Sequence, residues 1–427
     1  MENRHAILLA GVQSRSGKTT VTLALMAALR RHGLVVAPFK AGPDFIDPSW
    51  HQAICGVPSH NLDTFMVGTA ESRRLLDRYG KGGCAVVEGV MGLYDGKEGV
   101  GGPGSTADLA RQLNLPVLLV VDGHGMAGSI APLVAGYCHY AKNFSIAGVI
   151  ANRVGRESHA QKLAAILQQE NLPPLLGWLP RDENLALAER HLGLVLPGEA
   201  PPIATDHLAS ALHLDLEGFL RASQYTFSSP DSQPATPPLL QGVTIGIARD
   251  QAFCFLYPAN LQWLQEMGAT LRFFSPLAGD PFPADAQAAW LPGGYPELYG
   301  QALSQAPCWQ GITRLAAANA PILAECGGMM ALGTALSDLN GETWPMAGVL
   351  PITTHMTRRL AGLGYRQEVN GARGHEFHHS TRSPSSLPPA FQVTNGDGGV
   401  LWQRVRASYI HWYFPSAPTV CASWFTP

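Results

Sequence analysis

Short, unbroken apolar runs alternate with longer amphipathic stretches over the first half of the chain. His5–Ala10 reads as a buried strand, Lys18–Arg31 as a helix and Leu34–Phe39 as a second strand. Cys84–Glu88, Val117–Val121 and Ala147–Ile150 have the same character, with helix-like segments between them. Runs of this kind predict parallel βαβ units with both sheet faces covered. The rhythm stops at Ser223–Pro238, where Ser, Pro and Thr crowd together as in a linker. It restarts with strands at Val243–Ala248, Thr270–Phe274 and Ala288–Leu291 and a helix at Pro258–Met267. A further strand, Ile322–Ala324, runs into Glu325-Cys326-Gly327-Gly328. The pattern therefore predicts two α/β domains, residues 1–222 and 241–427, joined through 223–240.

Composition removes several classes of function. The 427 residues are 46% hydrophobic, enough to fill more than one core, and the net charge of −3 leaves no footprint for nucleic acid or an anionic membrane. Leu115–Val121 is among the longest apolar runs and is far too short to span a bilayer. Ala6–Val12 leads into a Gly/Lys loop rather than a cleavage site, so no signal peptide is expected. Seven cysteines with no CxxC pair suit a reduced, cytoplasmic protein.

The first chemical signal lies between the first strand and the first helix. Gly11-Val-Gln-Ser-Arg-Ser16-Gly17-Lys18-Thr19-Thr20 has the glycines that turn backbone N–H groups toward a phosphate, and a helix N-terminus behind them. Lys18 would reach the terminal phosphates of ATP, and the Thr19 hydroxyl would ligate Mg²⁺. Five residues separate Gly11 from Gly17, one more than in the common phosphate loop. That spacing is typical of the dethiobiotin-synthetase-like branch. A metal needs carboxylates too, and Asp44 and Asp47 follow the second strand while Glu88 and Asp95 follow Cys84–Val87. Glu88 leaves a hydrophobic run straight into glycine, which packing alone does not explain. Asn152 ends another strand, where it would pair with a nucleotide base or form an Asx turn.

The second signal is a thiol. Cys326 stands at a strand-to-helix junction between Glu325 and two glycines, the layout of a nucleophile elbow, with a helix N-terminus expected to lower its pKa. Gly293, Gly294 and Gly327 offer backbone N–H groups to an oxyanion. His411, far downstream, is the candidate base. His375, His378 and His379 form a cluster with neither a nearby cysteine nor an HExxH pattern, so they read as substrate contacts or surface rather than as a metal site.

With both signals in hand, the chain resembles the cobyrinic acid a,c-diamide synthase family, including its hydrogenobyrinic acid form. The resemblance runs from about Ala6 to His411. It rests on the long phosphate loop, Gly42-Pro-Asp-Phe-Ile-Asp-Pro48, Glu88-Gly-Val-Met-Gly-Leu-Tyr-Asp-Gly96, Leu291-Pro-Gly-Gly-Tyr295, Ala324-Glu-Cys-Gly-Gly-Met329, Gly374-His-Glu-Phe377 and Tyr409-Ile-His411. It implies a phosphate-loop synthase domain followed by a class I glutamine amidotransferase-like domain. ATP would activate the c- and then the a-acetate carboxylate of a corrin acid, with Mg²⁺ on Thr19, Asp44 and Glu88. Cys326 with His411 would release ammonia from glutamine, and Asp95 would assist at the activated carboxylate. A homodimer is also implied. One departure stands out. Class I glutaminases pair the histidine with a carboxylate two residues on, and here that position is Tyr413. Relatives carry a smaller residue and His where Trp412-Tyr413 stands. Three other readings share parts of this plan: amidation of another tetrapyrrole such as nickel sirohydrochlorin, a dethiobiotin-synthetase-like carboxylase, and a regulatory ATPase. The carboxylase has no use for Cys326 or His411. The ATPase would carry a lysine where Gln13 stands.

Overall fold

A computed structural model describes residues 4–185, 189–190, 193–197, 199, 204–227 and 237–427. The chain divides into two compact units, Met1–Asp231 and Ser232–Pro427.

In the first unit the strands are β1 (His5–Gly11), β2 (Val36–Ala41), β3 (His60–Leu62), β4 (Cys84–Gly92), β5 (Val117–Asp122), β6 (Ile146–Val154) and β7 (Leu175–Pro180). A short pair, β8 (Glu189–Arg190) and β9 (Gly193–Leu194), precedes β10 (His213–Leu214). The main sheet has the order β10-β7-β6-β5-β1-β4-β2-β3, all parallel except β10. Every residue of β1 and β2 is buried, which is why they read as continuous apolar runs. Because β1 lies between β4 and β5, the chain reverses direction of winding around it, and a crevice opens beyond the carboxyl ends of these strands. Helix α1 (Lys18–Arg31) starts there and ends in Arg30 and Arg31, charges that suit a helix C-terminus. Helix α2 (Ile46–Cys55) follows β2.

Ser223–Phe227, counted above as the start of the linker, pack on this unit instead. Ala6 N donates to Ser223 O at 2.9 Å, and Tyr225 Oη donates to Leu113 O at 2.7 Å. The Ser, Thr and Pro crowding masked this, because the attachment comes from a backbone bond at Ser223, the Tyr225 hydroxyl and a buried Phe227. Residues 228–236 of the linker reading lie outside the described residues.

The second unit has a sheet built from β11 (Thr244–Ala248), β12 (Thr270–Phe274), β13 (Ala288–Leu291) and β14 (Ile322–Glu325). Two small sheets use β15 (Ala335–Ser337), β16 (Thr343–Pro345), β17 (Thr353–Met356), β18 (Gly362–Gln367), β19 (Arg373–His378) and β20 (Ser380–Arg382). Then come β21 (Val400–Trp402), β22 (Val405–Ser408) and β23 (His411–Tyr413). The main order is β12-β11-β13-β14-β22-β21, with only β21 antiparallel. The smaller sheets, β16-β15-β17-β20 and β18-β19-β23, had no counterpart in the sequence pattern, since most of their strands are short or half-exposed. Trp412 is fully buried against Phe391 at 4.8 Å and Trp424 at 5.5 Å, so its bulk belongs to the core.

Candidate active sites

The phosphate loop leaves β1 at Gly11 and enters α1 through Gly17, whose φ of 81° is left-handed. A Cβ at Gly17 would fall 2.0 Å from Asn152 Nδ2, and one at Gly11 would fall 2.4 Å from Ser16 Oγ. Both glycines are therefore required by close approach. Asn152 donates from Nδ2 to Ser16 O at 3.1 Å and accepts the Arg153 N–H at 2.9 Å. Its amide thus already braces the loop from β6. Ser16 Oγ is buried with no hydrogen-bond partner among the described residues, as expected of a donor waiting for an anion.

Behind the loop lies a buried ion cluster. Register sets Lys40 of β2 beside Glu88 of β4, and both are almost wholly inaccessible. Glu88 Oε1 accepts the Thr19 hydroxyl at 2.7 Å and Lys40 Nζ at 3.3 Å, and Lys18 Nζ lies 3.7 Å away. His51 of α2 meets Glu88 Oε2 at 2.8 Å and, through its other nitrogen, Ser59 Oγ at 3.0 Å. Lys40 also pairs with Asp47 and, at 3.6 Å, with Asp44. Burial works against charge on Glu88, but Lys40 and the His51 hydrogen bond outweigh it and hold the carboxyl well below the usual range. Burial likewise opposes charge on Lys40, and Asp47, Glu88 and Asp44 together keep its ammonium raised above an ordinary lysine. Burial beside Asp44 and Glu88 pushes Asp47 well up. Burial and the Lys40 charge pull Lys18 down.

Thr19 and Glu88 thus stand together as the sequence suggested, while Asp44 joins them through Lys40. A hydroxyl and carboxylate oxygens facing a phosphate loop are hard donors that fit Mg²⁺. Among the described residues no group of three His, Cys, Asp or Glu is placed to hold a metal by itself, and Lys40 is paired with Asp44, Asp47 and Glu88. Sequence reasoning gave Lys40 and His51 no role. Lys40 stands next to last in an otherwise apolar, buried strand, and the argument applied to Glu88 applies equally to it.

Asp95 is exposed on the turn after β4, and its Oδ2 accepts the Gly92 N–H at 2.9 Å. A Cβ at Gly92 would fall 3.3 Å from Gln13 Cα, so this turn lies directly on the phosphate loop. At the Asn152–Arg153 rim a cavity of about 610 Å³ is lined by Arg153, Arg156, Lys162, Arg181, His124 and His159. It lies on the side where the sequence reading puts the nucleotide base.

In the second unit, Cys326 follows β14 and caps the helix Gly327–Leu332. Its φ of 45° and ψ of −107° are those of a strained elbow. Its N–H donates to Ser408 O at 2.7 Å, which fixes the elbow to the end of β22. A Cβ on Gly327 would fall 3.1 Å from Gly294 N, and one on Gly293 would fall 2.2 Å from His411 Cε1. The turn Gly293–Gly294 therefore lies between the elbow and the histidine. Cys326, His411, Gly293, Gly294 and Gly327 are brought together as the sequence suggested.

One expectation is corrected. The helix at Cys326 was expected to lower the thiol pKa. Burial, reinforced by Glu297, instead pushes it up to about 12, and the Gly327 N–H only partly offsets this. The helix has six residues, and its end effect is small beside full desolvation. His411 moves the other way: burial, then His375 and His378, pull it well below an ordinary histidine. Both groups are therefore neutral at rest.

Two residues here have places the sequence did not suggest: Glu325, which it gave no role, and His375, which it read as a substrate contact or surface residue and which is buried. Glu325 is buried, accepting the Trp290 indole N–H at 3.1 Å and the Trp412 backbone N–H at 2.9 Å. It ties the elbow strand to the residue after His411. Burial raises its pKa to about 8 against both hydrogen bonds. His375 lies opposite His411 in the β19–β23 pair, with rings stacked at 5.1 Å. The spacing of Gly374-His-Glu-Phe-His-His gave no sign of this pairing.

Comparison with known proteins agrees with the two-part plan. Residues 7–195 match the CobQ/CobB/MinD/ParA nucleotide binding domain, and 244–419 match the CobB/CobQ-like glutamine amidotransferase domain. The chain is 42% identical to a cobyrinate a,c-diamide synthase of Herminiimonas arsenicoxydans, over 99% of this chain and 96% of that one. It is 41% identical to a hydrogenobyrinate a,c-diamide synthase of Pseudomonas aeruginosa, over 99% and 97%. A cobyrinate a,c-diamide synthase of Salmonella typhimurium is 38% identical, over 98% and 97%.

Proposed function

Since the chain belongs to the cobyrinate and hydrogenobyrinate a,c-diamide synthase family, we propose how its two sites divide one amidation between them. The protein is a glutamine-hydrolysing ligase that uses ATP to amidate the a- and c-acetate carboxylates of a corrin acid in cobalamin biosynthesis. The observation that carries the division of labour is a phosphate loop backed by fixed charges in one unit and, in the other, a cysteine elbow linked through the Gly293–Gly294 turn to a buried histidine.

In the first unit, Gly11, Ser16, Gly17, Lys18, Thr19 and Thr20 cradle the ATP phosphates, with Asn152 bracing the loop. A substrate carboxylate oxygen attacks the γ-phosphorus, the bond to the bridging oxygen breaks, and acyl phosphate and ADP result. Thr19, Asp44 and Glu88 would hold Mg²⁺, which when bound would neutralise charge on the phosphate oxygens. Lys18 and Lys40 bring further positive charge to the same crevice. Asp95, on the turn beside the loop, accepts a proton as ammonia attacks the acyl carbon and phosphate leaves.

In the second unit, the Cys326 sulfur attacks the glutamine carboxamide carbon while its proton passes to His411. Gly293, Gly294 and Gly327 direct N–H groups at the oxyanion. Collapse returns the proton to the leaving nitrogen and releases ammonia, and water then frees glutamate from the thioester. We read the assembly as a cytoplasmic homodimer, which sedimentation would test.

The decisive experiment incubates the protein with ATP, Mg²⁺, glutamine and either cobyrinic or hydrogenobyrinic acid. Product mass and released phosphate are followed, with Cys326→Ala in parallel. Two mass steps of amidation are expected, and Cys326→Ala should support them only from ammonium. Turnover confined to a nickel or metal-free sirohydrochlorin would replace the substrate. Absence of amidation on any tetrapyrrole would overturn the reading.

A further inference from the structure

Glutamine hydrolysis at the elbow requires the His411 imidazole to be held in one orientation. A class I glutaminase would supply a carboxylate two residues on, and Tyr413 cannot serve that purpose. The rest of β19 and its neighbours do offer a support. In the antiparallel pairing of β19 with β23, His375 is directly opposite His411, so the two side chains leave the same face. Gly374 permits the approach: a Cβ there would fall 2.3 Å from His411 O. The two imidazoles stack at 5.1 Å with 24° between their planes, and each residue is less than 8% exposed.

His375 is itself anchored. Its Nδ1 is 3.0 Å from Tyr257 Oη, and the Tyr257 ring meets Tyr413 edge-on at 6.0 Å. Tyr413 therefore packs against the residue that anchors His375. His378, on the same strand, stacks flat on Tyr409 at 3.7 Å and meets Ser380 O at 2.8 Å. Phe255 presents its edge to the His411 ring from the side of Gly293.

We propose that His375, fixed by Tyr257, is a positioning residue that seats His411 over the elbow for glutamine hydrolysis, in place of the carboxylate of a His-x-Glu pair. This rests on the glutaminase reading of the thiol site. The packing orients the His411 imidazole by stacking it on a His375 that Tyr257 fixes, and unlike a carboxylate it adds no negative charge. His411 consequently remains a neutral base. The ionisable groups that act on it are His375 and His378 from β19; Tyr257 lies beyond His375, and Glu325 is held by the backbone of the next residue, Trp412. Each imidazole that gains a proton opposes a proton on His411, so removing His375 moves the His411 titration upward.

The test compares His375→Gln and Tyr257→Phe with the parent in glutamine-dependent and ammonium-dependent amidation across pH. His375→Gln should lower glutamine-dependent kcat about 10-fold, with the KM for glutamine changed less than about twofold, since orientation acts on the reacting geometry. Its acidic limb should move to higher pH, while Tyr257→Phe gives a smaller loss with the same KM. Amidation from ammonium should match the parent in both. If the limb stays in place and kcat is unchanged in both variants, or if glutamine-dependent kcat and KM shift together without movement of the limb, the proposal fails. Should His375→Gln not fold, Tyr257→Phe decides, because it removes only a hydroxyl. Cys326→Ala separates the two levels: glutamine-dependent turnover surviving that change removes the glutaminase reading itself.

Discussion

The two sites bury ionisable groups to the same degree and leave them in opposite states. Lys40 and Glu88 are enclosed and both stay charged; Cys326 and His411 are enclosed and both stay neutral. Burial disfavours charge in all four, so the neighbours decide. Glu88 has Lys40 and His51 at hydrogen-bond distance, and Lys40 has three carboxylates. The ionisable neighbours that shift Cys326 and His411 after burial are acids for the thiol and imidazoles for the imidazole; these push each further toward its uncharged form, and the Gly327 N–H offsets only part of the effect on the thiol. The difference suits the chemistry. Phosphoryl transfer needs charges fixed before the substrate arrives, whereas glutamine hydrolysis needs a proton that can move.

The sharpest way to break this contrast is to neutralise the charged cluster. Lys40→Met should cost about 3–5 kcal/mol of stability by leaving buried carboxylates uncompensated. Amidation from glutamine or ammonium should fall about 10³-fold, with glutamine hydrolysis by the second unit retained. Denaturant melts and paired rate measurements check both parts. A normal rate with ammonium would remove Lys40 from the reaction.

Matched glycine substitutions come next in size. Gly293→Ala should displace His411 and lower glutamine-dependent turnover about 10²-fold while sparing ammonium. Gly17→Ala should instead weaken ATP use from either donor, since its Cβ strikes Asn152. Equal losses from both donors in Gly293→Ala would undo the separation of the two sites.

Two smaller effects concern pH. Because His411 is held below an ordinary histidine, glutamine-dependent kcat/KM should show no acidic limb near pH 6.5, only one further down. Glu325 titrates in the opposite sense. Its folded pKa of about 8 exceeds the ordinary 4.5, so the folded unit holds the proton more tightly than the unfolded chain does. The resulting contribution to stability is complete below pH 4.5 and is lost as pH rises through about 8. Thermal melts of the parent against Glu325→Gln should converge or cross in that window; parallel curves would refute the assignment.

What the chain made legible was local. The phosphate loop, the elbow at Cys326 and the apolar strands leading to both are written in consecutive residues, where glycine spacing and burial of a strand act together. The partners of those groups come from elsewhere. Lys40 and His51 reach Glu88 from β2 and α2, and His375 meets His411 only because β19 pairs with β23. The thiol was misjudged for the same reason: the helix end is visible in sequence, but the burial that outweighs it is assembled from distant segments.

The left-handed bend at Cys326 has a consequence for what selection can tolerate. A non-glycine residue at φ 45° and ψ −107° carries a penalty of about 1–3 kcal/mol that glycine escapes. A change from Cys to Gly would relieve that strain, empty a buried side-chain position and end the use of glutamine together, so the strain persists at this turn for the chemistry of the thiol rather than for the fold.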